Sequence, residues 1–178
     1  LSTAFKTTVV LLWWSGAFFT FMWLRPLGWM PAGVAAALFV WSPYVIVDVF
    51  VRAAYPEVAA MCCVPGLLWS IDRLMRSARL VDALMIAGFV GAMLTLHLLS
   101  SLIFAPVVAA YVICRLLESA EPARRVRMLT VGVAIGVGLS AFYLVPSMAE
   151  LSYVSIGKMT SGYSDYQQHF VAPSQWIS

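Results

Sequence analysis

Six apolar stretches dominate this chain and leave few ways for it to fold: residues 7–24, 31–47, 57–71, 80–96, 99–117 and 126–148. A run of about 20 apolar residues is the length a helix needs to cross a bilayer, with about 17 as the practical minimum. Residues 57–71 fall short of that and are expected to be tilted or only partly inserted. The stretch 80–117 is too long for one crossing and divides at the turn His97-Leu98-Leu99-Ser100-Ser101. With 62% hydrophobic and 11% charged residues, against about 45–50% and about 25% in soluble domains, this apolar mass exceeds what a core of this size can hide. The expected fold is all-α: a polytopic transmembrane helical bundle of about six spans. Because it begins at Leu1 and stops at Ser178, it is expected to be a fragment of a larger protein.

Lys and Arg collect on the cytoplasmic side of membrane proteins. With the Asp72–Arg79 loop placed inside, alternation of the spans puts Arg25, Arg73, Arg76, Arg79, Arg115, Arg124, Arg125 and Arg127 inside. Lys6, Arg52 and Lys158 then lie outside. The segment 44–57, the His97 turn and the tail 149–178 are therefore expected on the extracytoplasmic face. A net charge of +3 distributed in this way points to a membrane and not to nucleic acid.

The cysteines Cys62, Cys63 and Cys114 lie in apolar runs without metal-ligand spacing, and read as small buried hydrophobes. Asp48, Arg52 and Glu57 fall within ten positions at an expected membrane boundary. Asp48 and Arg52, four apart, share a helix face, and Glu57 sits where a helix start would favour a negative charge. Such a set is either an interfacial salt bridge or a site for an anionic substrate, since polar groups at membrane depth are costly and tend to be functional. His97 is a packed interfacial residue or a donor to a phosphate or sugar. Glu150, after Pro146 at the end of the last span, is a candidate general base or metal ligand. In the tail, Tyr163, Asp165, Tyr166, His169 and Trp176 suit either a carbohydrate surface or an ordinary folded loop. Gly132, Gly136 and Ser140 form a small-residue face for close helix packing.

Pro43-Tyr44 followed by Asp48, Arg52 and Glu57 resembles the bacterial membrane proteins called 6-pyruvoyl-tetrahydropterin synthase-related. So do His97 in a leucine-rich turn, Leu139-Ser140-Ala141-Phe142 leading to Pro146 and Glu150, and Tyr163, Asp165, Tyr166, His169, Phe170, Pro173 and Gln175. The soluble pterin enzyme uses a zinc-bound histidine cluster, which nothing here could supply. The architecture is similar instead to the GT-C glycosyltransferases, which take a sugar from a polyprenyl-phosphate donor on the outer membrane face. That resemblance implies a multi-pass protein of the bacterial plasma membrane, in contact with membrane lipid and a polyprenyl-phosphate sugar donor. It also implies Asp48, Arg52, His97 and His169 as substrate-binding residues and Glu57 and Glu150 as candidates for catalysis. A divalent cation, Mg or Mn, could serve as cofactor, although no metal site is assigned. The alternative is a transporter, flippase or assembly scaffold for cell-envelope polymers, with functional charges at the membrane midplane.

Overall fold

A computed structural model describes residues 3–153. Those residues form helices and turns, with no strand among them: α1 (Thr3–Leu24), α2 (Trp29–Val40), α3 (Pro43–Phe50), α4 (Tyr55–Ser77), α5 (Leu80–Leu96), α6 (Leu98–Leu117), α7 (Pro122–Leu139) and α8 (Ala141–Ala149). The chain divides into two compact units, Leu1–Ala141 and Phe142–Ser178. The first holds α1 to α7. In the second, α8 leads into a short 3-10 turn, Leu151–Tyr153.

Four segments are long and apolar enough to cross a membrane: Thr3–Leu27, Trp29–Phe50, Tyr55–Ser77 and Leu98–Leu117. A fifth is added if Pro122–Leu139 and Ala141–Ala149 make one broken span, and Leu80–Leu96 is apolar but shorter. The outward faces carry large apolar side chains, among them Leu11, Trp14, Phe18, Leu38, Leu102 and Ile103. Helices that are apolar on every side belong in lipid.

Breaks between helices follow local chemistry. Gly28 holds φ at 118°, a backbone that side-chain-bearing residues rarely adopt, and it separates the Arg25–Leu27 turn from α2. The run 31–47 is not one continuous helix. Pro43 has no N–H to give to Phe39, whose carbonyl accepts from Ser42 N–H instead (3.3 Å), and α3 restarts with Pro43 in its first turn. As a result α3 continues past residue 47 to Phe50 and carries Asp48 inside its last turn. Two alanines, Ala53 (φ 54°) and Ala78 (φ 46°), hold left-handed backbone after α3 and at the end of α4.

The 57–71 stretch belongs to the longest and most enclosed helix. α4 runs 23 residues, and 72% of its apolar window is buried. It extends beyond residue 71 because Asp72 and Arg73 find partners on neighbouring helices. Tyr111 Oη donates to Asp72 Oδ1 at 2.7 Å, Arg115 Nε donates to the same oxygen at 2.8 Å, and Arg73 Nε donates to Asp82 Oδ1 at 2.7 Å. Trp23 Nε1 donates to Tyr111 Oη at 2.9 Å and Arg125 Nε to the Met75 carbonyl at 2.7 Å. The ends of α1, α4, α6 and α7 are thereby tied together. At the opposite end of α4, the Phe5 and Tyr55 rings meet edge-on at 4.7 Å, so α1 and α4 run parallel.

The main core packs Leu67, Ile71 and Leu74 of α4 against Ala83, Ile86 and Met93 of α5. A second core joins Val45 and Val49 of α3 to Val58 and Cys62 of α4. The small-residue face of α7 lies on α5: a Cβ on Gly132 would stand 2.6 Å from the Ala83 carbonyl oxygen, and one on Gly136 2.8 Å from that of Ala87. Ser140, fully buried, donates to the carbonyls of Gly136 (2.9 Å) and Gly91 (3.2 Å). Of the three cysteines, Cys62 is buried, Cys63 half-buried and Cys114 exposed, so the expectation of burial fails for Cys114.

Candidate functional site

The joint between α3 and α4 gathers four polar side chains. Pro43 starts α3 so that Tyr44 and Asp48 stand one turn apart on the same helix. Arg52 lies just beyond its end, and Glu57 stands in the first turn of α4. Asp48 is fully buried, whereas the Arg52 side chain is 51% exposed, and Arg52 Nη1 meets Asp48 Oδ1 at 2.6 Å. The same Nη1 is 3.4 Å from Tyr44 Oη, and Nη2 is 3.4 Å from Glu57 Oε2. Tyr44 Oη donates to Glu57 Oε1 at 2.5 Å. Glu57 therefore does not cap its own helix: α4 has no side-chain cap. Its charge instead joins Tyr44 and Arg52 at the favourable, positive end of the helix.

Electrostatics fixes the guanidinium. The Tyr44 hydroxyl, followed by the Asp48 and Glu57 carboxylates, holds the Arg52 pKa above its ordinary value. Arg52 Nε makes no hydrogen bond among the described residues, which leaves part of the guanidinium free for a ligand. Asp48 Oδ2, buried, has no hydrogen-bond partner among the described residues, nor has Trp13 Nε1 in the adjoining core.

A cavity of about 320 Å³ opens beside this cluster, lined by Tyr44, Glu57, Met61, Ser100, Ile103 and Phe104. Its far wall is the first two turns of α6. His97, the residue linking α5 to α6, caps the first turn: Ser100 N–H donates to His97 Nδ1 at 3.2 Å, and Ser100 Oγ lies 2.7 Å from the same nitrogen. Asp48, Arg52, Glu57 and His97 are thus connected around one end of the bundle, with Ser100 and Tyr44 as the links. Neither Ser100 nor Tyr44 stands among the candidate residues read from the sequence. The signals that could have found them are short-range: Tyr44 is four residues before Asp48, and Ser100 three after His97.

Glu150 belongs to the second unit, where its N–H donates to the Pro146 carbonyl at 2.9 Å. His169 falls outside the described residues. Among the described residues, no three of the His, Cys, Asp and Glu side chains converge as a metal-ligand set. A larger cavity of about 510 Å³ runs between α4, α5, α6 and α7, with an almost wholly apolar lining.

No curated protein and no solved structure matches the chain. A family model does, over residues 1–173, and it is described as the 6-pyruvoyl-tetrahydropterin synthase related domain, a membrane protein. The chain belongs to that family and is an integral membrane protein in contact with lipid.

Proposed function

We propose that this protein is a glycosyltransferase of GT-C-like architecture in the bacterial plasma membrane, using a polyprenyl-phosphate-linked sugar donor on the extracytoplasmic face. In this reading the α3–α4 joint holds the donor. The observation that carries it is the state of Arg52: held on one side by Asp48, Tyr44 and Glu57, half-exposed, and with Nε unengaged among the described residues. A guanidinium oriented in this way offers a phosphate a planar set of donors without first having to be ordered. His97, Glu57 and Ser100 would surround the donor's head, and Glu57, the carboxylate in the cavity lining, is the candidate for proton transfer. Glu150 and His169 are further candidates from the second unit, and a divalent cation could assist at the phosphate.

The main alternative is a transporter, flippase or scaffold, which would carry functional charges near the membrane midplane. Between Glu57 and Asp72, α4 contains no charged residue. Asp72 follows Glu57 by 15 positions, a rise of about 22 Å along the helix, so the charges on α4 stand at its ends. This distribution favours chemistry at a membrane face over a charged path through the membrane.

The test is donor binding and sugar transfer by the full-length protein in lipid nanodiscs. Arg52→Lys keeps the charge opposite Asp48 but removes the planar fork. It is expected to weaken polyprenyl-phosphate-sugar binding by about 1.5–3 kcal/mol, the range for hydrogen bonds to charged groups. The double variant Asp48→Asn, Arg52→Gln, which strands no buried carboxylate, should lose at least as much. Unchanged donor binding in both folded variants, or no sugar transfer by the wild type, would overturn the reading.

A further inference from the structure

At the other end of α4, a second guanidinium is held in place by a buried carboxylate. Asp82, fully buried at the start of α5, accepts Arg73 Nε on Oδ1 at 2.7 Å, and Ser77 Oγ is hydrogen-bonded to its Oδ2. The Arg73 guanidinium also lies over the Trp69 ring, with Cζ 5.0 Å from the ring centroid. An anion on one edge and a ring on one face fix the plane of the guanidinium. Its Nη1 and Nη2 have no hydrogen-bond partner among the described residues, and the side chain is 37% exposed. Arg76, further along the same helix, is held in a similar manner: its Nε donates to the Asp72 carbonyl at 3.2 Å, and its Nη atoms have no partner among the described residues. Trp69, Arg73 and Arg76 occupy positions i, i+4 and i+7 of α4 and share one helix face. Arg79, in the link to α5, is exposed, and neither it nor Arg76 has a salt-bridge partner among the described residues.

Toward the middle of α4 the same face is aromatic. The Trp69 ring lies 5.7 Å from that of Phe19 on α1, and Phe19 lies 5.0 Å from Phe89 on α5; all three are half-buried. We infer that this face is a binding site for an anionic phospholipid. The headgroup phosphate bonds to the Nη atoms of Arg73 and Arg76, and an acyl chain lies along Trp69, Phe19 and Phe89. Charge selects the headgroup. Asp72 is engaged by Tyr111 and Arg115, so Arg73, Arg76 and Arg79 face only the carboxylate of Asp82, an excess of about +2 at neutral pH. A phosphodiester with no cation of its own meets that excess, whereas a zwitterionic headgroup brings an ammonium into it. An arginine that merely snorkels leaves its guanidinium to water. Arg73 is instead ordered by Asp82 and Trp69 before any ligand arrives, which reduces the entropy lost on binding. The aromatic surface decides for a lipid over a soluble phosphate, and basic sites between helices at the cytoplasmic face suit lipid phosphates. This site stands at the opposite end of α4 from the Arg52 cluster and is independent of the transferase reading.

The experiment titrates phosphatidylglycerol into the full-length protein in nonionic detergent and follows the tightest-bound lipid by native mass spectrometry. Phosphatidylcholine with the same acyl chains is the zwitterionic comparison, and glycerol 3-phosphate is the competitor without chains. Phosphatidylglycerol is expected to bind at least about 10-fold more tightly than phosphatidylcholine. Arg76→Gln removes an exposed charge on which no carboxylate depends, and should weaken phosphatidylglycerol binding about 5-fold or more. The double variant Arg73→Gln, Asp82→Asn, which strands no buried carboxylate, should weaken it about 10-fold or more; if that variant does not fold, Arg76→Gln decides alone. Arg124→Gln changes an exposed arginine of α7 that is paired with Glu121 at 3.5 Å, and should alter binding by less than about 2-fold. Equal losses in Arg76→Gln and Arg124→Gln would mean a diffuse attraction to the basic end and would overturn the site. So would equal affinities for the two phospholipids, or unchanged binding in Arg76→Gln. Displacement of the lipid by glycerol 3-phosphate at comparable concentration would assign the guanidinium edges to a soluble phosphate and overturn the lipid.

Discussion

Asp48 and Arg52 meet at 2.6 Å across a sharp change in burial: the carboxylate is fully enclosed and the guanidinium side chain is 51% exposed. Asp48 Oδ2 has no hydrogen-bond partner among the described residues, so Arg52 is the main compensation for a charge taken out of solvent. Loss of the two partners should then have unequal consequences. Arg52→Ala strands a buried carboxylate and is expected to be the more destabilising of the two changes. Asp48→Asn removes the buried charge and leaves Arg52 hydrated and 3.4 Å from Glu57, at a cost of about 1 kcal/mol. Thermal unfolding of the full-length protein in detergent should rank the two variants in that order, and equal costs would mean that Arg52 is not what sustains the buried Asp48.

The packing of α7 on α5 leads to a contrast among glycines. A Cβ at Gly132 or Gly136 would sit 2.6–2.8 Å from backbone carbonyl oxygens of α5, which cannot turn aside as a flexible side chain can. Gly132→Ala and Gly136→Ala are each expected to destabilise by about 1–3 kcal/mol, the usual range for overpacking. Gly138, in the same helix, has nothing within 4 Å of the point where a Cβ would stand. Gly138→Ala should therefore be neutral or stabilising by up to about 1 kcal/mol, as expected where alanine replaces a helical glycine. Equal effects at all three positions would contradict the contact.

Much of the helical architecture was legible because apolar length is a one-dimensional signal: α5 and the small-residue face of α7 can be read almost directly from the sequence. The local pairing of Asp48 with Arg52 was legible for the same reason, being four residues apart. Asp72 shows where this kind of reading stops. In sequence it looks like the solvated end of a short span, whereas in the fold it receives Tyr111 and Arg115 from about 40 residues away, and α4 continues past it to Ser77. Hydropathy has no access to a partner on another helix. Ser100 was missed for a different reason: its significance lies in its 2.7 Å contact with His97 Nδ1 and its place in the lining of the cavity beside Tyr44 and Glu57, and only the fold shows the second.

The Trp23–Tyr111–Asp72 chain links α1, α6 and α4 through two hydrogen bonds of 2.9 and 2.7 Å. Tyr111→Phe keeps the ring against Trp23 and removes only the hydroxyl. It is expected to cost about 1–3 kcal/mol, because the Trp23 N–H is left without its acceptor and Asp72 without one donor. In the Trp23→Phe background the same change should cost less, with a coupling of about 0.5–1.5 kcal/mol. Strict additivity in this double-mutant cycle, measured by thermal unfolding, would show that the Trp23–Tyr111 bond contributes nothing to stability.

Orientation in the membrane decides which compartment the Arg52 cluster faces. The contacts join the ends of α1, α4, α6 and α7 around Asp72, Arg115 and Arg125, and place Arg52 and Glu57 at the opposite end of α4. Eight of the nine arginines, all except Arg52, fall in loops or helix ends assigned to the first group by alternation. Because Lys and Arg are retained on the cytoplasmic side, that end is expected inside and the Tyr44–Glu57 cluster outside. Val51, 76% exposed beside Arg52, and Ala120, exposed between α6 and α7, are suitable reporters. In a background with Cys62, Cys63 and Cys114 replaced by alanine, Val51→Cys should react in intact cells with a maleimide that cannot cross the membrane. Ala120→Cys should react only after permeabilisation. The reverse pattern would place the cluster in the cytoplasm and remove the extracytoplasmic donor site with it.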